Sequence, residues 1–160
     1  MKLSRKGEYA LRAMVVLADR YEKGVTQIQE IADREHLPKK FLEQILRDLS
    51  RAGLVEGRRG AGGGYRLIKP PAEVTMATII RTIDGPLAPL GCVSQLAHVE
   101  CPERDRCGLR EVMQEVRNAI ARILENVSLA DICARSRAAS REGPRGVEIG
   151  SDVFLPPKPR

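Results

Sequence analysis

Apolar residues recur through the first part of the chain at the spacing of helices with one buried stripe. Leu11, Met14, Val15 and Ala18 fall at i, i+3, i+4 and i+7, which places them on one helical face. Ser4 precedes them as a candidate N-cap, and the pattern predicts a helix to about Tyr21, with Gly24 as the stop. Thr26 and Gln29 form T-x-x-Q, the spacing of a capping box, ahead of a short helix that turns Ile28, Ile31 and Ala32 inward. Pro38 suits the first turn of a third helix, where its missing N–H is not needed. In that helix Leu42, Ile45, Leu46 and Leu49 make the buried stripe, and Gly53 ends it. The opposite face carries Lys39, Lys40, Glu43, Gln44, Arg47 and Arg51.

After the third helix the period changes. Leu54-Val55 and Tyr65-Arg66-Leu67 are short strand candidates separated by GRRGAGGG. Glycines this dense mark backbone with positive φ or a close approach to another surface. Pro70-Pro71 closes the unit. The expected fold is mainly α with a small β-hairpin wing: a winged helix-turn-helix over residues 1–70.

Residues 75–84 predict a fourth helix with Ile79, Ile80 and Ile83 buried, followed by a loop to about residue 107. Leu109, Met113, Val116, Ile120, Ile123 and Val127 then alternate at spacings of four and three, the a/d seam of a coiled coil. Such a seam suits a second copy of the chain, so residues 71–134 are expected to hold a cysteine loop and a dimerisation helix. Ser128 is a candidate cap for one last turn over residues 129–134. Residues 135–160, with Gly143-Pro144, Pro156-Pro157 and Pro159, are expected to be a disordered tail. No internal repeat is visible.

Charge sharpens this division. Residues 1–70 carry 15 Lys+Arg against 9 Asp+Glu, and residues 71–134 carry 6 against 9. A basic first unit fits a polyanionic partner. No apolar run reaches the ~18 residues of a membrane span. The opening MKLSRKGEYA lacks the apolar core of a secretory signal, so a cytoplasmic location and no membrane partner are expected. Four cysteines without an export signal do not suggest a disulfide framework. Cys92, Cys101 and Cys107 cluster instead, which points to metal or redox chemistry.

On the third helix, Lys39, Lys40, Arg47 and Arg51 suit phosphate contacts, which position a protein without reading sequence. Glu43 and Gln44 suit base edges: a carboxylate accepts from cytosine, and an amide pairs with adenine. The other reading of this face is an ordinary solvated surface. Arg58 and Arg59, flanked by glycines, suit a minor-groove or backbone contact. A nucleotide-binding loop is disfavoured, because the glycines do not end in G-K-[ST] and do not enter a helix.

LSRKGEYALRAM at the start, FLEQIL in the third helix and RGAGGGYRL at the wing together resemble the Rrf-type family of winged-helix transcriptional regulators. That family has IscR-, NsrR- and RirA-like members. The resemblance covers residues 1–134 and implies a homodimer with cross-paired long helices, bound to a palindromic operator in double-stranded DNA. It also implies an iron–sulfur cluster on Cys92, Cys101 and Cys107, with [4Fe–4S] favoured over [2Fe–2S]. Thiolates are the ligands such clusters use. The spacing C-x8-C-x5-C is longer at its first interval than in IscR-like members.

Three cysteines leave one position open. Arg110 stands where IscR-like members place a histidine, and an arginine cannot serve. In NsrR-like members a first-helix carboxylate of the other subunit completes the site, and Glu8 lies there. His98 competes; it would make a Cys3His set of the kind zinc prefers. Water or a small molecule is the third option. Without such roles Glu8 is a surface carboxylate paired with Arg12, and His98 a loop histidine. Cys133 lies on an apolar face and reads as a small buried hydrophobe.

The leading function is a repressor-type redox, nitric-oxide or iron sensor that binds DNA. A zinc-stapled or thiol-switch regulator without iron is the alternative, and an iron–sulfur electron carrier a more distant one. Only His36 and His98 are present, and no Ser/His/Asp or paired-carboxylate arrangement supports an enzyme.

Overall fold

A computed structural model describes residues 3–142. Six α-helices and one hairpin follow in the order α1 (Arg5–Asp19), α2 (Ile28–Glu35), α3 (Lys39–Arg51), β1 (Val55–Arg58), β2 (Gly64–Leu67), α4 (Met76–Asp84), α5 (Gly108–Glu125) and α6 (Leu129–Glu142). The stripe of α3 is where the period places it, whereas the buried face of α1 is turned from the expected one: Met14 and Ala18 are buried, Leu11 and Val15 only half-buried. Ala10, Ala13, Met14 and Leu17 of α1 meet Leu42, Ile45, Leu46 and Leu49 of α3, all inaccessible to solvent or nearly so. Tyr9 and Phe41 add an edge-to-face ring pair across the same two helices, with centroids 5.7 Å apart.

β1 and β2 pair antiparallel, Val55 opposite Leu67 and Arg58 opposite Gly64. The apolar ends of both strands enter the core, while the basic tip stands in solvent. Gly60 and Gly62 turn that tip with positive φ. Gly64 meets a different demand, since a Cβ there would overlap the Thr26 carbonyl. Thr26 and Tyr65 exchange both backbone hydrogen bonds, at 2.9 and 2.8 Å.

That bridge displaces the expected capping box. Thr26 is buried and spent on the wing; Gln27 becomes the N-cap of α2, with no side-chain cap bond. Elsewhere the caps form as expected. Ser4 accepts from the Gly7 N–H at the start of α1, and Ser128 Oγ accepts from the Asp131 N–H before α6.

Two features of the second half differ from expectation. α6 continues to Glu142 rather than ending near Ala134. Arg137 reaches Asp19 of α1 at 3.8 Å, and Cys133 and Leu129 lie in the main core beside Val74 and Ile79, so tertiary packing extends the helix. The rest of the expected tail, 143–160, lies outside the described residues. The seam of α5 also divides. Ile120 and Leu124 pack on Ala77, Ile80 and Leu87 of the protein's own second core. Leu109, Val112, Val116, Ala119 and Ile123 stay exposed at spacings of three and four. Arg81 of α4 and Glu125 of α5 form an ion pair beside the packed face.

Candidate functional site

α3 presents its polar face to solvent because its apolar face fills the core. Lys39, Lys40, Glu43, Gln44, Arg47 and Arg51 are all exposed, and Arg58 and Arg59 stand exposed at the wing. A convex helix with basic residues at its start and a basic hairpin beside it has the shape of a duplex-reading surface: helix in the major groove, wing on the backbone or minor groove. Gln44 is not free on this face. Its Nε2 donates to Asp48 Oδ1 at 3.1 Å.

Sequence reading did not single out Asp48, which is less exposed than the other polar residues of α3. Lys6 of α1 donates to its Oδ2 at 2.7 Å, and Arg51 approaches Oδ1 at 3.4 Å. The Lys6 hydrogen bond, helped by that from Gln44, holds the Asp48 carboxyl below the usual carboxylate range against the opposing effect of burial. The signal available was the i, i+4 pair Gln44–Asp48; the Lys6 contact spans too much sequence to be read from a pattern.

The second candidate site lies in the loop between α4 and α5. Cys92 sits in a 3₁₀ turn over Gly91–Val93, Cys101 opens the segment that leads to a second such turn, and Cys107 is the N-cap of α5. Cys107 O accepts from the N–H groups of Arg110 and Glu111. The loop folds back on itself, with the Val99 N–H on Gly91 O at 3.2 Å and Val93 and Ser94 buried beneath. All three cysteines are free and half-buried. As a donor set, three free thiols in one loop suit an iron–sulfur cluster. Among the described residues, however, no three His, Cys, Asp or Glu side chains come together closely enough to hold a metal ion.

Glu8 is exposed on α1 and paired with Arg12 at 2.7 Å. His98 is exposed in the loop. Arg110 lies in the first turn of α5 and lines, with Cys107, Arg104 and Arg106, an open groove of about 700 Å³. Cys133 lies apart from these three. Its thiol donates to Val15 O at 3.8 Å, and burial, reinforced by Asp19, raises its pKa.

A small helical head with an exposed third helix and a basic two-stranded wing is a winged-helix DNA-binding regulator. The profile of the Rrf2 family, described as an iron-dependent transcriptional regulator, matches residues 3–135, and this chain belongs to that family. It is 39% identical over 145 residues to an rrf2-like HTH-type transcriptional regulator of Rhodobacter capsulatus, covering 87% of this chain and 97% of that one. Among solved structures it resembles CymR, the global cysteine regulator of B. subtilis, at 35% identity and a TM-score of 0.73, over 84% of this chain and 98% of that one. It also resembles IscR of T. potens at 30% identity and a TM-score of 0.68, over 91% and 94%. The relatives are regulators, not enzymes. Among the described residues no helix is long and apolar enough to cross a membrane.

Proposed function

We propose that this chain is a homodimeric cytoplasmic regulator whose affinity for a palindromic operator is set by an iron–sulfur cluster. Cys92, Cys101 and Cys107 supply three ligands and Glu8 of the partner subunit the fourth. The observation that carries this reading is the cysteine loop: three free, half-buried thiols between the helix that backs the DNA-binding head and the helix that faces a partner. The family description and the likeness to an IscR structure support it. When bound, the cluster supplies a centre that oxidation, nitrosylation or iron loss can dismantle. The chain's own residues hold it, and the Glu8 oxygen is the weakest donor for so soft a site. Lys39, Lys40, Arg47, Arg58 and Arg59 bind phosphates, while Glu43 and Gln44 read bases.

A thiol switch without iron is the second reading. The likeness to CymR, which has also been solved in an oxidized form, favours it, as does the lack of a gathered three-ligand set among the described residues. Anaerobic purification with iron, sulfide and zinc analysis separates the two. Iron and sulfide in equal amounts, with visible absorption lost in Cys101→Ala, support the cluster. Protein with neither iron nor sulfide, whose operator affinity follows reversible thiol oxidation, supports the switch. Zinc without sulfide supports a structural staple. Equal coupling of operator affinity to cluster state in wild type and Glu8→Ala overturns the role of Glu8.

A further inference from the structure

Asp84 is the last residue of α4, and the chain leaves it through Gly85 (φ 84°, ψ −151°) toward the cysteine loop. Its carboxylate does not face solvent alone. Oδ2 accepts the Ser4 N–H at 3.0 Å, and Oδ1 accepts the Ser4 hydroxyl. Ser4 Oγ in turn accepts the Gly7 N–H at 2.9 Å. The carboxylate thus seats on the N-terminus of α1, where the helix dipole favours a negative charge. Gly7 makes room for it, because a Cβ at position 7 would overlap the Asp84 carboxylate.

Within the same first turn, Lys6 pairs with Asp48 on α3, and Asp48 holds Gln44. Two sets of polar contacts, Asp84–Ser4–Gly7 and Lys6–Asp48–Gln44, are therefore joined through the backbone of the first turn of α1, and together run from the start of the cysteine loop to a base-reading candidate. They lie wholly within one subunit, whereas Glu8 would act between subunits.

From this geometry we infer that Asp84 is a positioning residue that passes the state of the cysteine loop to the reading helix of its own subunit. The inference rests on the proposed gating of DNA affinity by the cysteines. A rearranged loop displaces Gly85 and with it the Asp84 carboxylate. The cap of α1 then shifts, and the Lys6–Asp48 pair carries α3 with it, together with the wing. Asparagine at position 84 keeps the shape but removes the negative charge from the helix end, and its amide donor makes the Ser4 hydroxyl turn from donor to acceptor.

The test measures operator affinity of the full-length protein with its cysteines in two states, as purified anaerobically and after oxidation and removal of metal. Visible absorption and thiol titration report the cysteine state independently. In wild type the ratio of the two affinities should be about tenfold or more, within the usual range of coupling between sites. Asp84→Asn should bring the ratio to within about twofold while absorption and thiol count stay as in wild type. In the metal-free protein, hydrogen exchange should quicken at Gly7 and Glu8 in the variant. A wild-type ratio of one overturns the gating, and the relay with it. A full ratio retained in Asp84→Asn, with gating intact in wild type, overturns the relay alone. Should Asp84→Asn fail to fold, Ser4→Ala decides: it removes the hydroxyl that joins the carboxylate to the Gly7 N–H, and an unchanged ratio there refutes a relay through this cap.

Discussion

The exposed stripe of α5 makes a quantitative claim about self-association. Leu109, Val112, Val116 and Ile123 are 62, 53, 37 and 60% exposed in the single chain, a large apolar surface for one helix to leave in water. Ile123 is the cleanest probe, because it belongs to neither core cluster. Fully burying such a side chain stabilises by about 1.5–3 kcal/mol, so covering its exposed 60% is worth ~0.9–1.8 kcal/mol per copy. A two-fold symmetric interface counts it twice, about 2–4 kcal/mol per dimer. Ile123→Asp should therefore weaken dimerisation by roughly 20- to 500-fold, and the uncompensated charge adds to that. Sedimentation equilibrium measures the constant, with circular dichroism to show that the helices persist. A dimer constant within about threefold of wild type, in a folded variant, refutes the assignment of this face to a second copy. Ile120→Asp would not test the same thing, since Ile120 closes the protein's own second core.

Arg59→Ala should weaken binding to all duplexes and lower the slope of log affinity against log salt by about one unit, as one lost phosphate contact does; an unchanged slope removes the wing from the interface. Glu43→Ala should relax preference at one base position per half-site, read by selection from randomised operators, and an unaltered preference would mean that α3 docks otherwise. In native metal-free protein at neutral pH, iodoacetamide should modify Cys92, Cys101 and Cys107 well before Cys133, whose thiol is buried and held protonated. Peptide mapping that finds Cys133 modified as fast as the others would contradict the packing of α6 on α1.

The amphipathic helices were legible because each has one core to face. The stripe of α3 follows from period alone; in α1 the small residues Ala10 and Ala13 let the helix turn them inward, leaving Leu11 and Val15 half-buried. α5 was harder, since its apolar surface is split: a single seam drawn through Val116 and Ile120 joins neighbours of which only Ile120 packs on the protein's own core. Local rules also lost to distant ones at Thr26, where a strand 39 residues further on claimed the backbone that a capping box would have used. The exposed polar face of α3 was readable as the complement of a regular stripe. The cysteines were readable as donors but not as a site, because the loop between Gly85 and Cys107 has no period from which to infer how its sulfurs approach. Asp84 was invisible for a related reason. Its partner Ser4 is 80 positions away, and neither residue stands out by type.

The close approach of Gly64 to Thr26 has a bearing on how such a head can move. The backbone of β2 is stitched to the residue just before α2, and β1 is continuous with the end of α3 through Gly53 and Leu54. A hairpin fastened at both roots cannot flap as a separate arm. Wing and reading helix must travel together as one rigid tool, so the span between two such tools in a dimer is adjusted at their mountings. The operator would meet a caliper, with fixed jaws and a variable gap.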